Sequence, residues 1–258
     1  MTETIITKGK FNHFEHGEGE VMLLLHGLMG EMSNFEHIIA HFSSSYRVIV
    51  PLLPIMEAPL KKLSIGTLVD YVEEFVDEYG LKEMHLMGNS LGGHIGILYL
   101  LRRQELIKSI TLAGSSGLFE NSMGSTFPRR QNYEFIKEKV KLTFYDPELA
   151  TKELIDSVFD MVNDRNKALR IVITAKSAIR HNLSDKLHEV KVPTLLVWGN
   201  QDTITPPFVG EEFHKLIPHS ELVFLDKCGH APMMEVPEQF NAVFEMFLGK
   251  IAVDTSSS

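Results

Sequence analysis

Short, uninterrupted apolar runs recur along the chain, separated by segments whose apolar positions repeat at helical spacing. Val21 to Leu25 is the first such run, and its continuity predicts a strand buried on both faces. Ser33 to Phe42 follows, with Phe35, Ile38, Ile39 and Phe42 at helical spacing, and Tyr46 to Val50 is a β-branched strand candidate ended by Pro51 and Pro54. Ser64 is placed to cap a helix whose apolar positions Ile65, Leu68, Val69, Val72, Phe75 and Val76 share one face. Asp70, Glu73, Glu74, Asp77 and Glu78 lie largely opposite and read as a solvated face; Gly80 stops the helix. Met84 to Met87 is the next strand, Gly93 to Leu101 a helix and Ile107 to Ala113 a further strand. Helix and strand alternating through short connections imply right-handed crossovers and a largely parallel sheet with sites at its carboxyl edge.

After Ala113 the alternation breaks. Gly114-Ser115-Ser116-Gly117 and a loop to Pro128 lead into helical stretches near Arg129 to Phe144, Pro147 to Val162 and Arg165 to Arg180, with no strand between them. Three consecutive helices inside an α/β chain predict an inserted cap that shapes a substrate pocket and excludes water from it. Arg129 and Arg130 offer a carboxylate-binding pair, although a solvated helix start is the plainer reading. Strands resume at Val192 to Trp198 and Glu221 to Leu225, with a helix near Pro207 to Leu216 between them and a last helix at Pro237 to Leu248. The expected organisation is core at 1–114, helical cap at 115–190, core again at 191–250 and a disordered tail at 251–258, with Asp254 to Ser258 the low-complexity end.

Length and composition narrow this picture without redirecting it. The 258 residues and 44% apolar share suit one α/β domain with an insertion. A net charge of -9 disfavours nucleic acid and anionic membrane surfaces as partners. The single cysteine, Cys228, excludes an internal disulfide and a cysteine-based zinc site, and is expected to pack as a small apolar group. The polar start from Met1 to Asn12 lacks a signal-peptide core and no run is long enough to span a bilayer, so a cytoplasmic location is expected.

The chemistry centres on Gly88-Asn89-Ser90-Leu91-Gly92, between a strand pattern and a helix pattern. Glycines two residues either side of a serine allow a sharp strand-to-helix turn that presents the serine alone at a tip, so Ser90 is the candidate nucleophile. Asp202 follows the strand ending at Trp198 and is the candidate acid, placed to orient an imidazole from the same sheet edge. His230 sits in a glycine-containing loop after the last strand and is the candidate base. Asp226 competes with Asp202, but its closeness in sequence to His230 favours a structural role.

In this order and spacing, His26-Gly27, Gly88 to Gly92, Gly199 to Asp202 and Gly229-His230 resemble the α/β-hydrolase superfamily from about Val21 to the final helix. The resemblance implies the Ser, Asp, His chain order, no metal and no organic cofactor. It also implies an oxyanion hole from the backbone N–H groups of Leu28 and Leu91, with His26 tying loops together rather than moving protons. Gly88 to His94 and Val197 to Asp202 are similar to the meta-cleavage-product hydrolases, which cut a carbon-carbon bond. Those enzymes usually carry tryptophan after the catalytic histidine, where this chain has Ala231, and their carboxylate-binding cap arginine falls at Val158 in an ungapped alignment. The usual Asp-x-Pro-Gly-x-Gly loop is replaced by Leu52 to Glu57, a more apolar wall.

A serine at the elbow argues against haloalkane dehalogenases and most epoxide hydrolases, which use aspartate there. The leading expectation is hydrolysis of a carboxylic ester of a small or medium apolar acid, with Met29 and Met233 in the substrate pocket. Carbon-carbon hydrolysis and a non-enzymatic ligand-binding module are the alternatives, and a small molecule is the expected partner. Activity is expected to fall in mildly acidic buffer as His230 becomes protonated.

Overall fold

The computed structural model describes residues 4–30, 32–121 and 129–256. Part of the loop to Pro128 and the last two residues of the expected tail fall outside that set. Eight strands form one sheet: β1 (Ile6–Lys8), β2 (Phe11–His16), β3 (Glu20–Leu25), β4 (Tyr46–Pro51), β5 (Met84–Asn89), β6 (Ile107–Ala113), β7 (Thr194–Gly199) and β8 (Glu221–Leu225). Their order is β1-β2-β4-β3-β5-β6-β7-β8, antiparallel at β1-β2 and β2-β4 and parallel throughout the rest. The parallel strands read as apolar runs because both faces are covered. Leu23 and Leu25 of β3 face one core and Met22 and Leu24 the other.

Helices α2 (Ile65–Tyr79), α3 (Leu91–Arg102) and α7 (Pro207–Leu216) contribute to the first core, α1 (Glu36–Phe42) and α9 (Pro237–Ser256) to the second. The Ser64 cap is present: its Oγ accepts from Thr67 N–H at 3.2 Å, while Thr67 Oγ1 accepts from Ser64 N–H at 3.0 Å, a reciprocal capping box. Gly80 closes α2 in the left-handed region at φ 61°. The strand order changes direction between β3 and β5, and the resulting crevice at their carboxyl ends receives His26 after Leu25 and Ser90 after Asn89.

Between β6 and β7 the described chain forms α4 (Tyr133–Lys141), α5 (Lys152–Asn163) and α6 (Arg165–Arg180), with no strand among them. Asn132, Thr151 and Asp164 each cap the following helix through a side-chain oxygen.

Two features lie outside the expected elements, and one expectation is corrected. β1 and β2 were not anticipated: β1 is exposed throughout, and in β2 the buried position two residues after Phe11 is a histidine, His13, so the sequence shows no apolar alternation. The His13 ring packs on Phe75 and Tyr79 at 5.4 and 4.8 Å, while Nδ1 meets Tyr79 OH at 3.3 Å and Nε2 lies 3.4 Å from Glu15. The tail is not wholly disordered, since α9 continues to Ser256 and Ile251, one turn beyond Phe247, is buried in the second core. A short helix, α8 (Pro232–Glu235), follows His230 directly, and its turn decides the place of Met233.

Candidate active site

β5 runs into Ser90, and α3 starts at the next residue. Ser90 has φ 54° and ψ −121°, a conformation that L-residues rarely hold and that costs on the order of 1–3 kcal/mol. It is maintained by surrounding backbone bonds: Ser90 N–H to Ala113 O at 3.1 Å, and Ser116 N–H to Ser90 O at 3.1 Å. The glycine at 92 is a packing requirement, since a Cβ there would stand 1.9 Å from Leu25 O. The elbow therefore sits directly on the end of β3.

His230 and Asp202 are both buried and joined by an Nδ1 to Oδ2 hydrogen bond of 2.9 Å. An ionised carboxylate only accepts, so Nδ1 is the donor, and in the neutral imidazole this leaves the lone pair on Nε2. Asp202 also accepts from Ile204 N–H at 2.8 Å, Thr205 N–H at 2.9 Å and Thr205 Oγ1 at 2.8 Å. Thr205 is fixed in turn by Trp198, whose buried indole N–H donates to Thr205 O at 2.9 Å. Asp226 lies exposed and pairs with Asn200, away from the imidazole.

Ser90 and His230 line one cavity of about 520 Å³. Among the described residues no hydrogen bond joins Ser90 Oγ to His230. Such bonds are often long in free enzymes and tighten on substrate binding. Leu28 and Leu91 line the same cavity. Leu91 opens α3, so its N–H has no acceptor within the helix. Leu28 lies in the turn closed by Gly30 N–H to Gly27 O at 3.1 Å, and a Cβ at Gly27 would be 3.4 Å from Ser90 Cβ. His26 is buried behind that turn, where Nε2 accepts from Leu53 N–H at 3.0 Å and Nδ1 donates to Gly27 O at 2.9 Å. Burial pushes its pKa below the usual histidine value, so His26 is a neutral tie between two loops.

The walls come largely from the insertion. Ile136 and Val140 of α4, Leu154, Val158 and Val162 of α5, and Ile171 of α6 face the cavity. Met29 lines it too, but Met233 does not: it is fully buried in the second core, and Met234 takes the pocket position. Successive residues of a helical turn point roughly 100° apart, so one step along α8 exchanges core for cavity. Arg129 is exposed beside the Phe135 ring, and neither it nor Arg130 lines the cavity. Cys228 is buried among apolar side chains, and its thiol pKa is raised by burial. Among the described residues no three His, Cys, Asp or Glu side chains are grouped to hold a metal ion, and no helix is long and apolar enough to cross a membrane.

Three positions in contact with the His230–Asp202 pair were not predicted from the sequence. Asn89 Nδ2 donates to Ala113 O at 2.9 Å and to His230 O at 3.1 Å. Gly114 follows β6 at φ 50°, and a Cβ there would be 3.2 Å from both Asp202 Oδ2 and His230 Nδ1. Thr205 shares Asp202 with the imidazole; an aspartate followed three residues later by threonine was its visible signal. Asn89 and Gly114 gave only their positions at strand ends.

A family model described as Alpha/beta hydrolase family matches residues 22–243. An alpha/beta hydrolase enzyme from the metagenome of sediments from the lagoon of Mar Chica, Morocco, is 38% identical. That match covers 96% of this chain and 99% of that one, with a TM-score of 0.80. Lipase 1 of Psychrobacter immobilis is 27% identical over 92% of this chain and 80% of its own. The 2-hydroxy-6-oxononadienedioate/2-hydroxy-6-oxononatrienedioate hydrolase of Paraburkholderia phymatum is 26% identical over 95% of this chain and 92% of its own. With the matched region running from the third strand into the last helix, the chain belongs to the alpha/beta hydrolase family.

Proposed function

We propose that the protein is a serine carboxylic ester hydrolase acting on esters of small or medium apolar acids. The observation that carries this reading is the His230 Nδ1 to Asp202 bond of 2.9 Å beside a strained Ser90 that opens onto the same cavity. In this mechanism Ser90 Oγ attacks the ester carbonyl carbon while His230 Nε2 takes its proton, and Asp202 stabilises the imidazolium. The Leu28 and Leu91 N–H groups hold the oxyanion, a contribution of about a hundredfold to a thousandfold in rate per donor. Collapse breaks the bond to the alkoxy oxygen, which receives the proton from His230 Nε2 and leaves as the alcohol. Water then gives a proton to His230, attacks the acyl-enzyme and releases the acid, and Ser90 regains its proton.

The walls supplied by α4, α5 and α6 are largely aliphatic, with Lys139 and Lys176 the charged exceptions, and favour an apolar acyl group. Relatives include both lipases and carbon-carbon hydrolases, so the second reading has support in sequence. Val158 and Ala231 line the cavity, and there this chain presents small apolar surface where the meta-cleavage-product enzymes carry arginine and tryptophan. That difference favours the ester. Steady-state hydrolysis of p-nitrophenyl butyrate by wild type and Ser90→Ala tests the reading. Robust wild-type turnover with a loss on the order of a million-fold in kcat is expected. Absence of turnover in both proteins, with turnover of a dienoate diketone by wild type, would replace it with carbon-carbon hydrolysis.

A further inference from the structure

Residues 229–231, which carry the His230 side chain, leave no backbone N–H to solvent. Gly229 N–H donates to Glu235 Oε2 at 2.9 Å and Ala231 N–H to Glu235 Oε1 at 3.0 Å. Between them, His230 N–H donates to Thr143 O at 2.9 Å, a carbonyl of the helical insertion just past α4. The carbonyl of His230 is held from the other side by Asn89. Glu235 Oε2 accepts one more bond, from Tyr145 N–H at 2.7 Å. One carboxylate thus binds the residues before and after the histidine together with the insertion segment at 143–145. Thr143 and Phe144 of that segment line the cavity.

We propose that Glu235 is a positioning residue for His230 that locks the base loop and segment 143–145 into one unit. The proposal rests on the reading of His230 as general base. Three N–H donors on one ionised carboxylate make charge-assisted bonds, which are shorter and about twice as strong as neutral ones. Because Tyr145 and Gly229 share Oε2, segment 143–145 cannot leave the cavity without loosening the loop that aims the imidazole. The base is therefore fully aligned only when this wall of the substrate chamber is in place. Glutamine cannot substitute, since its amide group would turn N–H donors toward at least one of the backbone N–H groups. A simpler role exists for comparison: Glu235 as a cap of α8 that satisfies only Ala231 N–H. That role predicts lower stability and unchanged chemistry in the folded protein.

The test uses full-length Glu235→Gln and Glu235→Ala with three measurements: p-nitrophenyl butyrate kinetics, thermal melting, and amide hydrogen exchange at Gly229, Ala231 and Tyr145. A misplacement of about 1 Å in a catalytic group costs about a hundredfold. The expected result is a kcat lower by about tenfold to a hundredfold, KM within about twofold of wild type, and faster exchange at all three amides. Wild-type kcat per folded molecule, or faster exchange at Ala231 alone, overturns the proposal. If wild type hydrolyses no ester, the functional reading fails separately. Exchange then decides alone: acceleration at Gly229 and Tyr145 together sustains the clamp, and acceleration confined to Ala231 removes it.

Discussion

Asn89 Nδ2 stands 3.1 Å from the carbonyl oxygen of His230, 141 positions away in the chain, while also donating to Ala113 O at 2.9 Å. The residue before Ser90 thus holds the backbone of His230. Leaving two buried carbonyls without this donor costs about 1–3 kcal/mol. Asn89→Ala is expected to lose stability in that range by urea denaturation and to lower kcat by about tenfold. Asn89→Asp is expected to be worse, because a carboxylate would face two carbonyl oxygens. Wild-type kcat in Asn89→Asp would refute the role.

Gly114 and Gly80 both hold left-handed backbone, at φ 50° and 61°, but only Gly114 is crowded. A Cβ at Gly80 meets nothing within 4 Å, whereas at Gly114 it would be 2.9 Å from His230 O. Gly80→Ala is expected to cost about 1–2 kcal/mol of backbone strain and leave kcat unchanged. Gly114→Ala is expected to pay the same strain and to lose at least about tenfold in kcat by displacing the His230–Asp202 pair. Melting curves and p-nitrophenyl butyrate kinetics of the two variants side by side separate strain from crowding.

His94, buried behind the elbow, donates from Nε2 to His181 O at 2.8 Å and has no partner for Nδ1 among the described residues. Burial, only partly offset by that backbone bond, lowers its pKa to about 4. The unfolded chain, with a histidine pKa near 6.5, binds the proton first as pH falls. Stability carried by neutral His94 is therefore complete above about pH 6.5 and lost progressively down to about pH 4, on the order of 3 kcal/mol in all. His13, His26 and His85 are shifted in the same direction by burial and add to the slope. His94→Gln keeps a donor for His181 O and is expected to show a shallower loss of stability between pH 7 and 5. The fluorescence of the single, fully buried Trp198 reports the unfolding, and an unchanged slope would contradict the assignment.

The parallel strands, the capped α2 and the elbow were legible because each depends on residues close in sequence: apolar runs, Ser64 with Thr67, glycines flanking Ser90. The motifs at Ser90, Asp202 and His230 were visible in the sequence, and folding sets Asp202 against His230 and opens Ser90 onto the same cavity. What stayed hidden depends on distant partners. Asn89 and Glu235 act through backbone groups brought to them by folding, and Gly114 matters only because the His230–Asp202 pair comes to rest above it. The exposed β1 has no burial to impose a pattern on its sequence. Met233 and Met234 are adjacent and chemically identical, so only the turn of α8 distinguishes core from cavity.

The whole helical insertion is a detour between two strands that are hydrogen-bonded neighbours, with Ile110 beside Thr194 and Ala113 beside Val197. The sheet asks of the intervening chain only that it leave one strand and reach the next, and the entropy of closing a longer or shorter excursion changes slowly with its length. Ser90 lies before the detour and Asp202 and His230 after it, so all three candidate groups stand on the sheet frame while the detour supplies much of the cavity wall. A rebuilt wall would have to keep a carbonyl for His230 N–H and an N–H for Glu235.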